Sequence, residues 1–173
     1  MKKILLLTGI MALSATIFGA AGKDPAEAQV DVKAKIVKPL TISATAVDFG
    51  YMAVSETKHE ETHGEVTITG TEGELIRLEV KPSEEVGYVK YTGPMQTFDV
   101  TLTTGSGTAD NEKLKTTLSM FTQGVAGDDV TAGTYILEAG GKKEFVVGGT
   151  ATASATQKEG AYTGKIYVKA MYN

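Results

Sequence analysis

Apolar side chains recur at every second position through most of this chain, a spacing that suits strands and leaves helices no single face to bury. Val30, Val32, Ala34 and Ile36 alternate with Asp31, Lys33 and Lys35, and after Pro39 the pattern resumes at Leu40, Ile42 and Ala44. Val66 and Ile68 repeat it, then Ile76, Leu78 and Val80, then Phe98, Val100 and Leu102. Phe145 and Val147 open a later strand, and Ile166, Val168, Ala170 and Tyr172 form the last. Turn clusters separate the runs: Gly70 to Gly73, Gly93-Pro94, Gly105 to Asp110, Gly124 to Asp129 and Gly140-Gly141. Short strands punctuated in this way predict an all-β sandwich or barrel. Asn111 to Phe121 is the exception, read as a short helix or an irregular stretch.

The N-terminus carries a different pattern. Lys2 and Lys3 precede an apolar run from Ile4 to Phe18, and the small residues Gly19-Ala20-Ala21-Gly22 follow before charge returns at Lys23. That order predicts a secretory signal peptide over residues 1–21, with Ala26-Glu27-Ala28 as a second cleavage candidate. The run is shorter than the ~20 residues needed to span a bilayer, so no transmembrane segment is expected in the mature form. The expected organisation is a signal peptide at 1–21, an N-terminal strand segment at 22–38 and one β-sandwich domain at 39–173. About 150 residues remain after cleavage, enough for one domain with a real core. That core must hold without disulfides, because the chain has no cysteine.

Charge and motifs narrow the functional classes. The formal charge is −4, and loss of Lys2 and Lys3 with the leader takes it to −6. A mildly acidic chain without a basic patch is a poor ligand for phosphate backbones, so no nucleic-acid partner is expected. His59-Glu60-Glu61-Thr62-His63 matches H-E-x-x-H, the pattern in which a helix sets two imidazoles on one face to bind zinc beside a glutamate base. From Ser55 to Gly64, however, no residue is apolar, so a helix there would have nothing to bury. The segment is read as a solvated loop or strand edge, and a zinc metalloprotease is a distant alternative. Asp128-Asp129 in its Gly-rich turn lacks the ligand spacing of a calcium loop. With no nucleophile elbow and no phosphate-cradling loop, the expectation is a chain without catalytic residues, cofactor or metal.

The last third holds a more specific arrangement. Phe145-Val146-Val147-Gly148-Gly149-Thr150 is followed by Gly160-Ala161-Tyr162-Thr163-Gly164 and a final strand ending Tyr172-Asn173, while Val47-Asp48-Phe49-Gly50 follows the Pro-Leu-Thr-Ile stretch at 39–42. Together these resemble the bacterial family known as domain of unknown function 4402, over nearly all of the mature chain. The ending is also similar to that of pilin subunits assembled by the chaperone–usher pathway, the colonisation-factor type in particular. Gly160 stands fourteenth from the C-terminus and Tyr172 is penultimate, with Tyr162, Ile166, Val168 and Ala170 on the same parity. Gly164 completes the GxYxG element. Many pilins carry a disulfide that is absent here.

The resemblance implies an immunoglobulin-like β-sandwich lacking its own last strand, exported through a periplasm to the cell surface. It also implies a periplasmic chaperone and an outer-membrane usher as partners, and self-association into fibres for cell adhesion. In that arrangement the N-terminal strand of one subunit fills the groove of another, with ladder hydrogen bonds and alternate side chains docking in pockets. Val30, Val32, Ala34 and Ile36 have the required every-second spacing. Their burial would contribute about 5–9 kcal/mol before ordering costs. Residues 29–37 read equally well as the first strand of the domain's own sheet, since both arrangements demand one buried face. A monomeric secreted binding module with a self-complete sandwich is the alternative function. Gly160 and Gly164 have a simpler reading as turn and bulge glycines, and Tyr162 and Tyr172 as half-buried sandwich tyrosines.

Overall fold

A computed structural model describes residues 28–173. The expected signal peptide, and residues 22–27 after it, lie outside the described residues. The chain divides into two compact units, Met1–Lys35 and Ile36–Asn173. In the described part of the first, residues 28–35, the side chains are exposed and no strand or helix forms. Residues 36–40 of the second unit are likewise outside any strand.

The second unit is an all-β sandwich of two antiparallel sheets, one of the two architectures that the alternation predicts. Its strands are β1 (Thr41–Ala44), β2 (Thr57–His59), β3 (Gly64–Thr69), β4 (Leu75–Lys81), β5 (Val89–Lys90), β6 (Met95–Thr103), β7 (Lys113–Phe121), β8 (Thr134–Ile136), β9 (Lys142–Thr152) and β10 (Tyr167–Tyr172). One sheet runs β1-β3-β9-β7-β6, with β2 also paired to β9; the other runs β10-β4-β5, with β8 paired to β4 beside β5. Every ladder is antiparallel. Among the described residues no helix is long and apolar enough to cross a membrane.

Side-chain alternation places one face of each strand in a shared interior. Val66 and Ile68 of β3, Ile76, Leu78 and Val80 of β4, Phe98 and Val100 of β6, and Phe145 and Val147 of β9 are all buried there. Tyr91, Tyr135 and Phe145 form the aromatic centre, their rings 5.4–5.6 Å apart and two of the three pairs edge-to-face. The two tyrosines remain tolerable in a dry core because each hydroxyl finds a carbonyl. Tyr91 donates to Met120 at 2.9 Å and Tyr135 to Gly93 at 2.8 Å. Burial pushes the Tyr91 phenol up to about 12, and Tyr135 is raised further for the same reason.

One element departs from the sequence reading. The stretch expected to be helical or irregular over Asn111 to Phe121 is a single 3-10 turn, Asp110–Glu112, followed by the nine-residue strand β7. Leu114, Thr116, Leu118 and Met120 all point inward. Thr116 at an inward position breaks the apolar parity that marks a strand, although Lys115, Thr117 and Ser119 keep the outward face polar.

The glycine pair in the later strand has a packing cause. A Cβ on Gly149 would overlap the backbone carbonyl of Thr117 on β7, so only glycine permits that approach of the two strands. The Glu60 carboxylate folds over Gly148 and accepts the Gly149 N–H at 2.8 Å.

Candidate functional site

The two free edges on one flank of the sandwich are the most unusual surface. β10 pairs with β4 on one side and, among the described residues, with no strand on the other. Its register sets Val168 opposite Val80, Ala170 opposite Leu78 and Tyr172 opposite Ile76. Antiparallel partners share a face, so Val168, Ala170 and Tyr172 look into the core. Their β4 partners are fully buried, yet the β10 residues are only half-buried. β1 repeats this: Ile42 lies opposite the fully buried Ile68, and Ala44 opposite Val66. Ile42 nevertheless keeps 41 % of its surface exposed. On β6, at the far edge of the larger sheet, the inward-facing Phe98 and Val100 are buried. The β1 and β10 edges, one on each sheet, both present core-facing side chains that are only partly covered.

Tyr172 joins these edges at one end. Its hydroxyl donates to the Lys38 carbonyl at 2.6 Å and accepts the Thr71 N–H at 2.9 Å, while the Lys38 N–H donates to Thr71 Oγ1 at 2.7 Å. From that clasp β1 and β10 run back along the same flank, one on each sheet. Tyr162 anchors the segment that precedes β10. Its hydroxyl lies 2.8 Å from the carbonyls of Asn111 and Lys158 and accepts from Gln157 Nε2 at 2.8 Å. Gly160 takes a φ of 148°, and Gly164 fits where a Cβ would press on Leu102. Ile166 packs half-buried against the core. The C-terminal residues singled out from the sequence therefore form one continuous border. Beside it a cleft of about 620 Å³ opens between the β1–β2 connection and the 157–162 segment, lined by Val47, Phe49, Met52, Leu102, Leu114 and Tyr162 among others.

Val30, Val32, Ala34 and Ile36 are exposed and belong to no strand.

The H-E-x-x-H segment does not form a helix. His59 ends β2 opposite Thr150, Thr62 bridges to Asp48, and His63 faces Glu65 at 3.8 Å. Glu60 is committed to the Gly149 N–H, and Glu61 pairs with Lys58. Among the described residues no group of three or more His, Cys, Asp or Glu is placed to hold a metal ion.

Sequence reasoning missed one cluster. Lys143 lies on the inward face of β9, in step with Phe145 and Val147, and its side chain is fully buried against Asp128 and Glu138. A lysine on the core parity of a strand was the available signal.

Neither a protein-family model nor a curated protein matches the chain.

Proposed function

We propose that the chain is an exported, non-enzymatic structural subunit of a cell-surface fibre, resembling chaperone–usher pilins. The observation that carries this reading is the uncovered inward face of β1 and β10. An edge of this kind, with unpaired backbone groups over core side chains, is a template for another strand. The exposed alternation of Val30, Val32, Ala34 and Ile36 supplies a strand of fitting chemistry. In this reading the N-terminal segment of one copy lies between β1 and β10 of the next. It ladders onto β10 while its alternate side chains cover Ile42, Val168 and Ala170. Because the donor and the acceptor edge are different surfaces, repetition gives an open fibre rather than a closed ring. A chaperone would cover the same edge before assembly, and an usher would exchange one strand for the other.

The test compares the mature chain with a form lacking residues 22–37. The full form should give heat-labile, SDS-resistant oligomers and the truncated form should not. A full form that stays monomeric and folds alone refutes the fibre. The cleft beside Tyr162 favours a second reading, a monomeric secreted module that binds a small apolar ligand. That reading predicts a folded monomer whose binding is lost in Phe49→Asp.

A further inference from the structure

Lys143 Nζ is buried between two carboxylates, 2.8 Å from Asp128 Oδ2 and 2.9 Å from Glu138 Oε1, with the Gln123 carbonyl at 3.4 Å. The side chains of Lys143 and Asp128 are 0 % and 2 % exposed, whereas Glu138 keeps 44 % of its surface in solvent. Backbone groups fix Asp128. The Ile136 N–H donates to Oδ1 at 2.7 Å and the Val125 N–H to Oδ2 at 3.1 Å. A nucleophile and an electrophile therefore meet out of water, already oriented, with a proton acceptor beside them at the solvent rim.

We infer that this trio is a self-modification site, at which Lys143 and Asp128 condense to an intramolecular amide with Glu138 as the catalytic acid–base. Within the buried hydrogen bond a proton passes from the Lys143 ammonium to Asp128, leaving an amine against a carboxylic acid. The Nζ lone pair attacks Asp128 Cγ. The Ile136 N–H stabilises the charge that develops on Oδ1, as an oxyanion donor does. Glu138 takes one proton from Nζ and delivers it to the departing hydroxyl, so one water leaves and the C–N bond remains. No oxidant or co-reactant enters. The reaction replaces two charges held out of water, an arrangement with a large desolvation penalty, by one neutral amide. Glu138 emerges as a carboxylate at the rim, where water solvates it. The new bond ties the β7–β8 loop to β9 across 15 positions of sequence.

The experiment is intact-mass measurement and tryptic mapping of the purified full chain and its Glu138→Gln and Asp128→Ala variants. The wild-type chain should weigh one water less than its sequence. Its digest should contain a branched peptide joining residues 116–142 to 143–158, with fragment ions placing the branch at Asp128. Glu138→Gln, altered at a half-exposed position, should fold and keep the full mass with linear peptides, and Asp128→Ala should lack the branch. Full mass and linear peptides in the folded wild-type chain overturn the proposal. So does loss of a water without a branched peptide, which marks cyclisation of an aspartate instead. A branch that survives in Asp128→Ala also overturns it.

Discussion

The hydroxyl of Tyr172, one residue from the end of the chain, donates to the carbonyl of Lys38 across 134 positions of sequence. The same oxygen accepts the Thr71 N–H, so one side chain gathers the approach to β1, the turn after β3 and the end of β10. This explains why a tyrosine, and not merely a large apolar residue, occupies the inward parity there.

Tyr172→Phe keeps the ring and removes both hydrogen bonds. The loss should be about 1 kcal/mol, because Lys38 and Thr71 can turn to water in place of the phenol. Urea denaturation measures it. Amide exchange at Thr71 should quicken in the mutant, and unchanged protection there would show that the clasp does not order this end of the flank.

The glycine pair gives a contrast between neighbours. Gly149→Ala places a Cβ against the Thr117 carbonyl on β7, a rigid obstacle inside a ladder. It should cost about 1–3 kcal/mol or more as the strands move apart. At Gly148 the obstacle is the Glu60 carboxylate, which can swing away, so Gly148→Ala should cost less. Thermal midpoints of the two mutants in one buffer decide the order.

The Glu112 carboxyl is drawn from its ordinary 4.5 to about 2, first by the hydrogen bond from Lys158 and then by that from Ser106. A depressed acid stabilises the fold in its ionised form. The contribution is complete above the ordinary value and is lost as pH falls from 4.5 toward 2. Glu112→Gln should therefore be less stable than wild type at neutral pH, and the gap should close as acid protonates Glu112. Urea midpoints across that range test the sign, and a gap that widens in acid would reverse it.

Much of this fold was legible because alternation is a local signal. Val66 and Ile68, Ile76 to Val80, Phe98 to Leu102 and Val168 to Tyr172 lie on β3, β4, β6 and β10 with the inward parity expected of them. Two features escaped because each strand carries a polar residue at an inward position. β9 begins at Lys142 rather than Phe145, since Lys143 is tolerated inside only through Asp128 and Glu138 on another segment. Strand β7 was obscured by Thr116, whose hydroxyl breaks the apolar rhythm although the residue is buried. The C-terminal border was marked by its residue spacing, but its half-covered state depends on which strands flank it. Spacing alone does not carry that information.

Thr116 also supplies a test of what its hydroxyl contributes. It is 3 % exposed, and its Oγ1 has no hydrogen-bond partner among the described residues. A buried hydroxyl in that state has lost water and gained nothing in return. Thr116→Val keeps the branched shape favoured in strands and removes the orphaned oxygen, so it should raise stability by about 1 kcal/mol. Thr116→Ser keeps the oxygen and deletes the methyl, so it should lower stability by about 1 kcal/mol. The pair separates polarity from volume: if both substitutions destabilise, the hydroxyl is bonded in solution and the methyl is not its only useful part. Urea midpoints with unchanged slopes would confine either effect to the folded core.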